Sequence, residues 1–405
     1  MSLYTLGEIG IGNSAHVLRK AYIGGSDGKA HKIKRAYIGD ANGKAKLFFE
    51  APARVAVFKS GGSGTTRKTF TGAARAGNYA IYAGGANVTV NSSTNTPIGD
   101  NTNLIEAFSK DLVKTIVSNS SSTVFTGTTM GASVTIGNTA FFNGGWMKYG
   151  WGSGTNENTY SVNSSLTINK SMSGAGWAAN QLTTKVGTYG LFGGGDWKTG
   201  MWSSGTSSAV AAYSEDGTKV TPASLDRDCS AGSVALWTNN RGLFVYNYWS
   251  NSNACAYDAS LTKTTLNAGA IEKLNANFSS ASSDYIAVLH HKTENKFYII
   301  NQSLTVSSVT NSGDTFSGYS QAVYSKKPLE TAMNGFFLFY ATDYSTPYPE
   351  YIMVDAKAGT ILEQNWSGAT ETQNQNQGTW GVSFDDTALM YNAWVGTPYK
   401  LDYKD

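Results

Sequence analysis

At 405 residues the chain is long enough to bury a large core, and 15% charged residues with 45 glycines is the composition of a β-rich, turn-rich protein. No run of 18 apolar residues occurs, which excludes a membrane-spanning helix, and Met1 to Glu8 lack the charged and apolar regions of a secretory signal. Two cysteines are too few for a disulfide framework and show no CxxC metal spacing.

Residues 1–50 are a segment of their own kind. Arg19-Lys20-Ala21-Tyr22-Ile23-Gly24, continuing to Ile33, returns fifteen residues later as Lys34-Arg35-Ala36-Tyr37-Ile38-Gly39, continuing to Leu47. A worn copy, Ile11-Gly12-Asn13-Ser14-Ala15-His16-Val17, precedes both. Asp27-Gly28 and Asn42-Gly43 are two-residue hairpin signals between strands of period two, so a short meander of hairpins is predicted. It is too small to bury a core and calls for a partner surface or copies of itself. Its eight Lys and Arg stand against Glu8, Asp27, Asp40 and Glu50, a local +4 that exceeds the +3 of the whole chain. Lysines on exposed strands protect sheet edges, and with no helix motif and no aromatic stacking array, nucleic acid is not the expected partner.

Residues 51–405 follow another rhythm. Arg54 to Lys59, between Pro52 and the Ser60-Gly61-Gly62-Ser63-Gly64 tract, reads as one strand that pairs with the final strands at Tyr391 to Trp394 or Tyr399 to Tyr403. A phrase then repeats seven times, most clearly as Gly77-Asn78-Tyr79-Ala80-Ile81-Tyr82-Ala83-Gly84-Gly85. It returns from Gly137 to Gly145 and from Gly187 to Gly195, then in decayed form from Gly232, Ser283, Asn334 and Gly378. The starts lie 60, 50, 45, 51, 51 and 44 residues apart, a period that points to a propeller or solenoid. Each copy reads as a turn, a strand covered on both faces, and an exit at paired glycines. A strand, polar turn and strand follow, as at Tyr160 to Thr167, Ala256 to Thr262 and Tyr298 to Thr305. That makes about four strands per repeat, the content of a propeller blade. Cys229 and Cys255 flank the fourth copy, as two packed free thiols or as a bridge.

The apolar run ending in Gly-Gly, with Tyr160, Tyr213 and Tyr257 further on, resembles the kelch-type propeller. The resemblance implies a propeller, and with the seven repeats and the hairpin segment before them the expected fold is all-β, a seven-bladed kelch-like β-propeller preceded by a small basic β-hairpin arm. Leu166 and Leu304 stand where the kelch pattern has Trp. The tandem units of residues 19 to 46 followed by this propeller are similar to virion proteins of tailed phages that infect Gram-positive bacteria. That resemblance implies a particle-attached protein of the tail tip or fibre, present in multiple copies, made in the host cytoplasm and located in the virion. The arm would contact other virion proteins, with Arg19, Lys20, Tyr22, Lys34, Arg35 and Tyr37 as its anchoring residues.

The connections between second and third strands carry the chemistry of interest. They are expected to be long in repeats two, three, four and six and short in five and seven, through Lys292 to Lys296 and Asp385 to Thr387. The long ones carry Trp146, Tyr149, Trp151, Trp197, Trp202, Tyr248, Trp249, Tyr344 and Tyr348. Aromatic rings beside Asn, Asp and Ser suit a sugar, whose apolar face packs on a ring while its hydroxyls find hydrogen bonds. Packing between neighbouring loops is the competing role, above all for Trp146 and Trp197. His290 and His291 are adjacent on a strand and point to opposite faces, so no shared metal site is expected, and no cofactor set is visible. Asp196, Asp343, Glu350 and Asp385 are loop acids that a glycosidase would need as a pair. The expected function is host-surface glycan recognition without catalysis; a structural virion decoration or connector, and a glycan hydrolase, are the alternatives.

Overall fold

The computed structural model describes residues 22–24, 30–32, 35–39, 44–50, 54–60, 72–85, 89–91, 96–98, 101–119, 124–125, 127–128, 131–145, 155–156, 158–172, 181–198, 204–229, 234–238, 241–248, 251–266, 278–282, 286–291, 294–301, 303–310, 320–326, 335–341, 351–355, 359–365, 379–384, 387–392 and 397–404. The fold is all-β, with no helix among these residues. Two compact units are present, one of Met1–Val57 with Asp402–Asp405 and one of Phe58–Leu401.

The first unit contains two hairpins in matching register. Tyr22, Ile23 and Gly24 pair with Lys32, His31 and Ala30, while Tyr37, Ile38 and Gly39 pair with Leu47, Lys46 and Ala45. The fifteen-residue repeat is therefore a repeat of structure: each Tyr-Ile-Gly strand pairs antiparallel with a strand at the same offset, while Asp27-Gly28 and Asn42-Gly43 lie outside the described residues. Tyr22, Arg35 and Tyr37 lie on these strands. Arg19, Lys20 and Lys34 lie outside the described residues.

Seven four-stranded sheets account for most of the remaining chain. Sheet I comprises Gly72–Ala76, Tyr79–Ala83, Ile105–Ser109 and Lys114–Ser118. Sheet II comprises Ala132–Ile136, Thr139–Asn143, Thr159–Val162 and Ile168–Met172. Sheet III comprises Leu182–Val186, Tyr189–Gly193, Val210–Ser214 and Lys219–Val220. Sheet IV comprises Val234–Thr238, Arg241–Tyr248, Asn251–Tyr257 and Lys263–Thr265. Sheet V comprises Phe278–Ser282, Ile286–His291, Lys296–Asn301 and Val306–Thr310. Sheet VI comprises Ser320–Lys326, Gly335–Ala341, Tyr351–Asp355 and Thr360–Asn365. Sheet VII comprises Thr379–Ser383, Ala388–Asn392 and Thr397–Lys404, with Arg54–Ser60 as its outer strand. The early strand thus pairs next to Thr397–Lys404, the second of the two partners expected for it.

The first strand of each sheet touches the first strand of the next, and that of sheet VII touches that of sheet I, so the succession closes on itself. Hydrophobic clusters fill the clefts. Ala76, Ile81, Phe125, Phe142 and Val162 lie between sheets I and II, and Val134, Phe141, Phe192 and Tyr213 between II and III. Leu191, Phe244, Cys255 and Tyr257 join III to IV, Leu243, Val245 and Ile300 join IV to V, and Tyr82, Phe108, Leu389 and Tyr391 join I to VII. A strand between two such clefts is covered on both faces, which explains the unbroken apolar runs Ile81-Tyr82-Ala83 and Ala140-Phe141-Phe142. The first strands of sheets I to III instead alternate buried and half-buried residues.

Polar turns close the outer hairpins, and glycine turns meet them from the neighbouring sheet. Between third and fourth strands, Asn163 Oδ1 accepts from the N–H groups of Ser165 and Thr167, and Asp258 and Asn301 repeat the arrangement. Gly77, Gly137 and Gly187, in the turns between first and second strands, all have positive φ. A Cβ on each would meet the next sheet's hairpin, at Ser164, Glu215 and Ala259 respectively. Glycine is needed there for conformation and for close approach at once.

Two copies of the repeat sit one strand earlier than the sequence phrase implies. The phrases starting at Gly232 and Gly378 contain the first strands of sheets IV and VII, whereas the earlier ones contain second strands. Arg241–Tyr248 and Ala388–Asn392 are the true equivalents. Both strands of these two hairpins are apolar, so hydrophobicity alone does not tell the first from the second.

Candidate functional site

Three successive sheets carry long connections between second and third strands: residues 84–104 in sheet I, 144–158 in II and 194–209 in III. Each is pinched at its base by paired glycines. Gly84 and Gly85 have φ of 58° and 89°, Gly144 and Gly145 of 67° and 95°, and Gly194 and Gly195 of 66° and 98°. In each pair the first N–H donates to the returning strand, to Leu104 O, Asn158 O and Ala209 O, while the second carbonyl accepts from Thr102, Asn156 and Ser207. The N–H groups of Gly85 and Gly195 donate to Thr128 O and Cys229 O, in the segments that lead to the next sheet. Loop necks and inter-sheet links therefore lie at the same end of the sheets.

Beyond two of the necks the chain forms further hairpins, Thr89–Asn91 with Thr96–Ile98 and Asp196–Lys198 with Ser204–Thr206. Trp197 is on the second. Half-buried, it pairs across from Gly205, and its Nε1 donates to Thr206 O at 3.1 Å. Next to it, Thr206 Oγ1 donates to Asp228 Oδ2 at 3.4 Å.

Beneath the neck of sheet II lies a buried polar network. Asn143 Nδ2 donates to Gln181 Oε1, Asn143 Oδ1 accepts from Thr159 Oγ1, and Thr159 Oγ1 meets the Tyr213 hydroxyl at 3.1 Å. Thr128 Oγ1 donates to Gly144 O at 2.8 Å. Burial, only partly countered by the Thr159 contact, pushes the Tyr213 phenol up to about 12. Such a network specifies one arrangement of the neck, because each partner left unsatisfied would be costly in a dry cleft. The sequence held one clue. Asn143 occupies the place that Ala83 and Gly193 take in the sister copies, ahead of Gly144-Gly145.

Cys229 packs against the third neck, where a Cβ on Gly194 would stand 1.9 Å from its Sγ. Burial pushes its thiol up to about 11; the Gly195 N–H opposes this, and the carboxylates of Asp196 and Asp228 add to it. Cys229 and Cys255 are both buried free thiols, the first of the two states the sequence left open.

The structure redistributes the expected aromatic residues. Tyr248 ends the second strand of sheet IV and only residues 249–250 separate it from Asn251, so Tyr248 and Trp249 are not on a long loop. Asp385 to Thr387 joins first and second strands of sheet VII, not second and third. The connection in sheet I, which has no aromatic residue, is the longest of those between second and third strands. Trp146, Tyr149, Trp151, Trp202, Tyr344 and Tyr348 lie outside the described residues, as do the acids Asp343, Glu350 and Asp385. Asp196 pairs with Thr206 on the Trp197 hairpin.

No family model and no curated protein matches the chain. Solved structures do. A streptogramin B lyase is 11% identical with a TM-score of 0.52, covering 86% of this chain and 98% of its own. Virginiamycin B lyase from Staphylococcus aureus is 10% identical with a TM-score of 0.52, covering 85% and 100%. Its catalytically inactive histidine-to-alanine variant with quinupristin is 12% identical with a TM-score of 0.53, covering 85% and 99%. The fold is β-propeller-like. At this identity the likeness concerns architecture, and the β-propeller-like arrangement accounts for the closed succession of sheets and for necks and links at one end.

Proposed function

We propose that the chain is a phage virion protein: a seven-bladed kelch-like propeller that recognises host cell-wall glycan without catalysis, held on the particle by the basic arm of residues 1–50. The binding part rests on one observation above all, the gathering of three glycine-necked connections at one end of sheets I to III. Connections with tight, hydrogen-bonded bases can differ in sequence while the sheets stay the same, which is how binding residues are commonly displayed on a rigid scaffold. Aromatic residues and Asn, Ser and Thr inside those connections suit sugar rings and hydroxyls. The virion part rests on the tandem units of residues 19–46 and on their matching register.

The test uses the full-length chain in multivalent form, as a particle would present it. It is expected to bind purified Gram-positive cell walls, to lose binding when wall polysaccharide is stripped, and to release no reducing sugar. Antibody against the chain is expected to label the particle by electron microscopy. Particle labelling without wall binding would favour a structural decoration, sugar release would favour a hydrolase, and no labelling would remove the virion role.

A further inference from the structure

We propose that Trp197 is a fixed stacking platform for a neutral pyranose; the proposal deepens the glycan-recognition reading and rests on it. The indole lies against the backbone of its own hairpin. A Cβ on Gly205 would stand 2.9 Å from Cζ2, 3.0 Å from Cε2 and 3.1 Å from Nε1, so only glycine lets the ring settle there. Its single polar atom is engaged with Thr206 O, and what the ring offers a ligand is its apolar surface. A sugar face lined with C–H groups is the complement of such a surface.

Padding between loops would look different. The aromatic residues that fill clefts here, such as Tyr82, Phe192, Tyr213 and Tyr257, are fully buried, whereas Trp197 is half-buried and contacts the glycine of its own hairpin. The hairpin is also anchored, since Ser207 forms a β-bridge with Cys229 and its N–H donates to Gly195 O. The ring is thus held in place before any ligand arrives, which lowers the ordering cost of binding. Asp196 stands on the hairpin itself, and the carboxylate of Asp228 meets it at Thr206 Oγ1. Carboxylates at the hairpin disfavour a polyanion and suit an uncharged sugar.

The experiment measures binding of the full chain to glucose-, galactose-, rhamnose- and N-acetylglucosamine-terminated conjugates on a polymer, with melting temperatures alongside. Trp197→Ala is expected to weaken binding about tenfold, the size of one aromatic contact, and Trp197→Phe to restore most of it. Gly205→Ala keeps the indole but displaces it, and is expected to weaken binding several-fold. In protein labelled with 5-fluorotryptophan, the resonance missing from Trp197→Phe is expected to move when the bound sugar is added. Binding that ignores all three substitutions, or a fluorine resonance that stays still, overturns the platform and leaves the recognition reading intact. If Trp197→Ala lowers the melting temperature steeply and the resonance does not move, the indole is a packing element. Failure of the unaltered chain to bind any conjugate or any wall fraction overturns the recognition reading itself.

Discussion

Leu112, Leu166, Leu261 and Leu304 share a conformation that leucine rarely adopts, with φ between 60° and 63°, each one residue short of the end of its hairpin turn. The left-handed conformation costs a residue with a Cβ roughly 1–2 kcal/mol, and Gly217 fills the same position in sheet III without that strain. Packing explains the leucines, since Leu112 is buried with Tyr82, Phe108 and Tyr391, while Leu166, Leu261 and Leu304 pack against other clefts. Burying a leucine contributes about 2–3 kcal/mol, so packing outweighs strain at Leu112. Leu112→Gly should therefore lower stability by about 1 kcal/mol or more in urea unfolding, and an unchanged midpoint would mean the side chain contributes nothing there. The sequence showed Leu166 and Leu304 only as departures from the kelch Trp and left Leu112 and Leu261 unmarked, because propensity argues against leucine at positive φ and only the cleft supplies the reason. A second residue-scale prediction concerns pH. With its folded pKa raised to about 11, the Cys229 thiol keeps its proton where the unfolded thiol has lost it. The folded state then binds more protons, so this contribution is complete below about pH 8.5 and is lost as pH rises toward 11. Urea midpoints should fall between pH 8 and pH 10.5, and less steeply for Cys229→Ala; equal slopes would assign the fall to Tyr82 and Tyr213, whose phenols burial also raises.

Between elements, the repeated lock is the meeting of a glycine turn with the hairpin of the next sheet. Glu215 Oε1 accepts from Asn138 N at 2.7 Å, and a Cβ on Gly137 would stand 2.1 Å from Glu215 Oε2. At Gly187 the corresponding neighbour is Ala259 Cβ at 3.3 Å, with nearly the same φ, 55° against 56°. Gly137→Ala and Gly187→Ala thus share one backbone strain and differ in contact. Gly137→Ala should cost about 1 kcal/mol more, the price of the displaced carboxylate hydrogen bond. In a Glu215→Ala background that difference should vanish; if it persists, the clash is not with Glu215. These glycines, the paired necks and the hairpin turns were legible because their conformations restrict residue type. The first strands of sheets IV and VII were misplaced for the opposite reason, since an apolar strand in a doubly covered sheet carries no mark of its position. The length expected for the sheet IV connection followed from that placement, whereas Trp249 lies in a connection of two residues.

At the scale of the molecule, sheet VII is the only one of the seven whose outer strand comes from the other end of the sequence. In sheets I to VI the third and fourth strands are joined by short turns and form as local hairpins. Arg54–Ser60 has no such neighbour in sequence and joins Thr397–Lys404 only after most of the chain is in place, a long closure whose entropic cost sheet hydrogen bonds must offset. Without it, Thr397–Lys404 becomes an open edge, a template for pairing with other chains. A chain starting at residue 51 should therefore keep the wild-type urea midpoint, because it retains the strand and loses only the hairpin arm. A chain starting at residue 61 should unfold at lower urea and associate as concentration rises. A peptide of residues 51–60 added to it should raise the midpoint and disperse the associated species, whereas a peptide of the same composition in scrambled order should do neither. Equal midpoints for the two truncations, with no association in the shorter, would mean that the strand is an appendage and that sheets I to VII are stable without it.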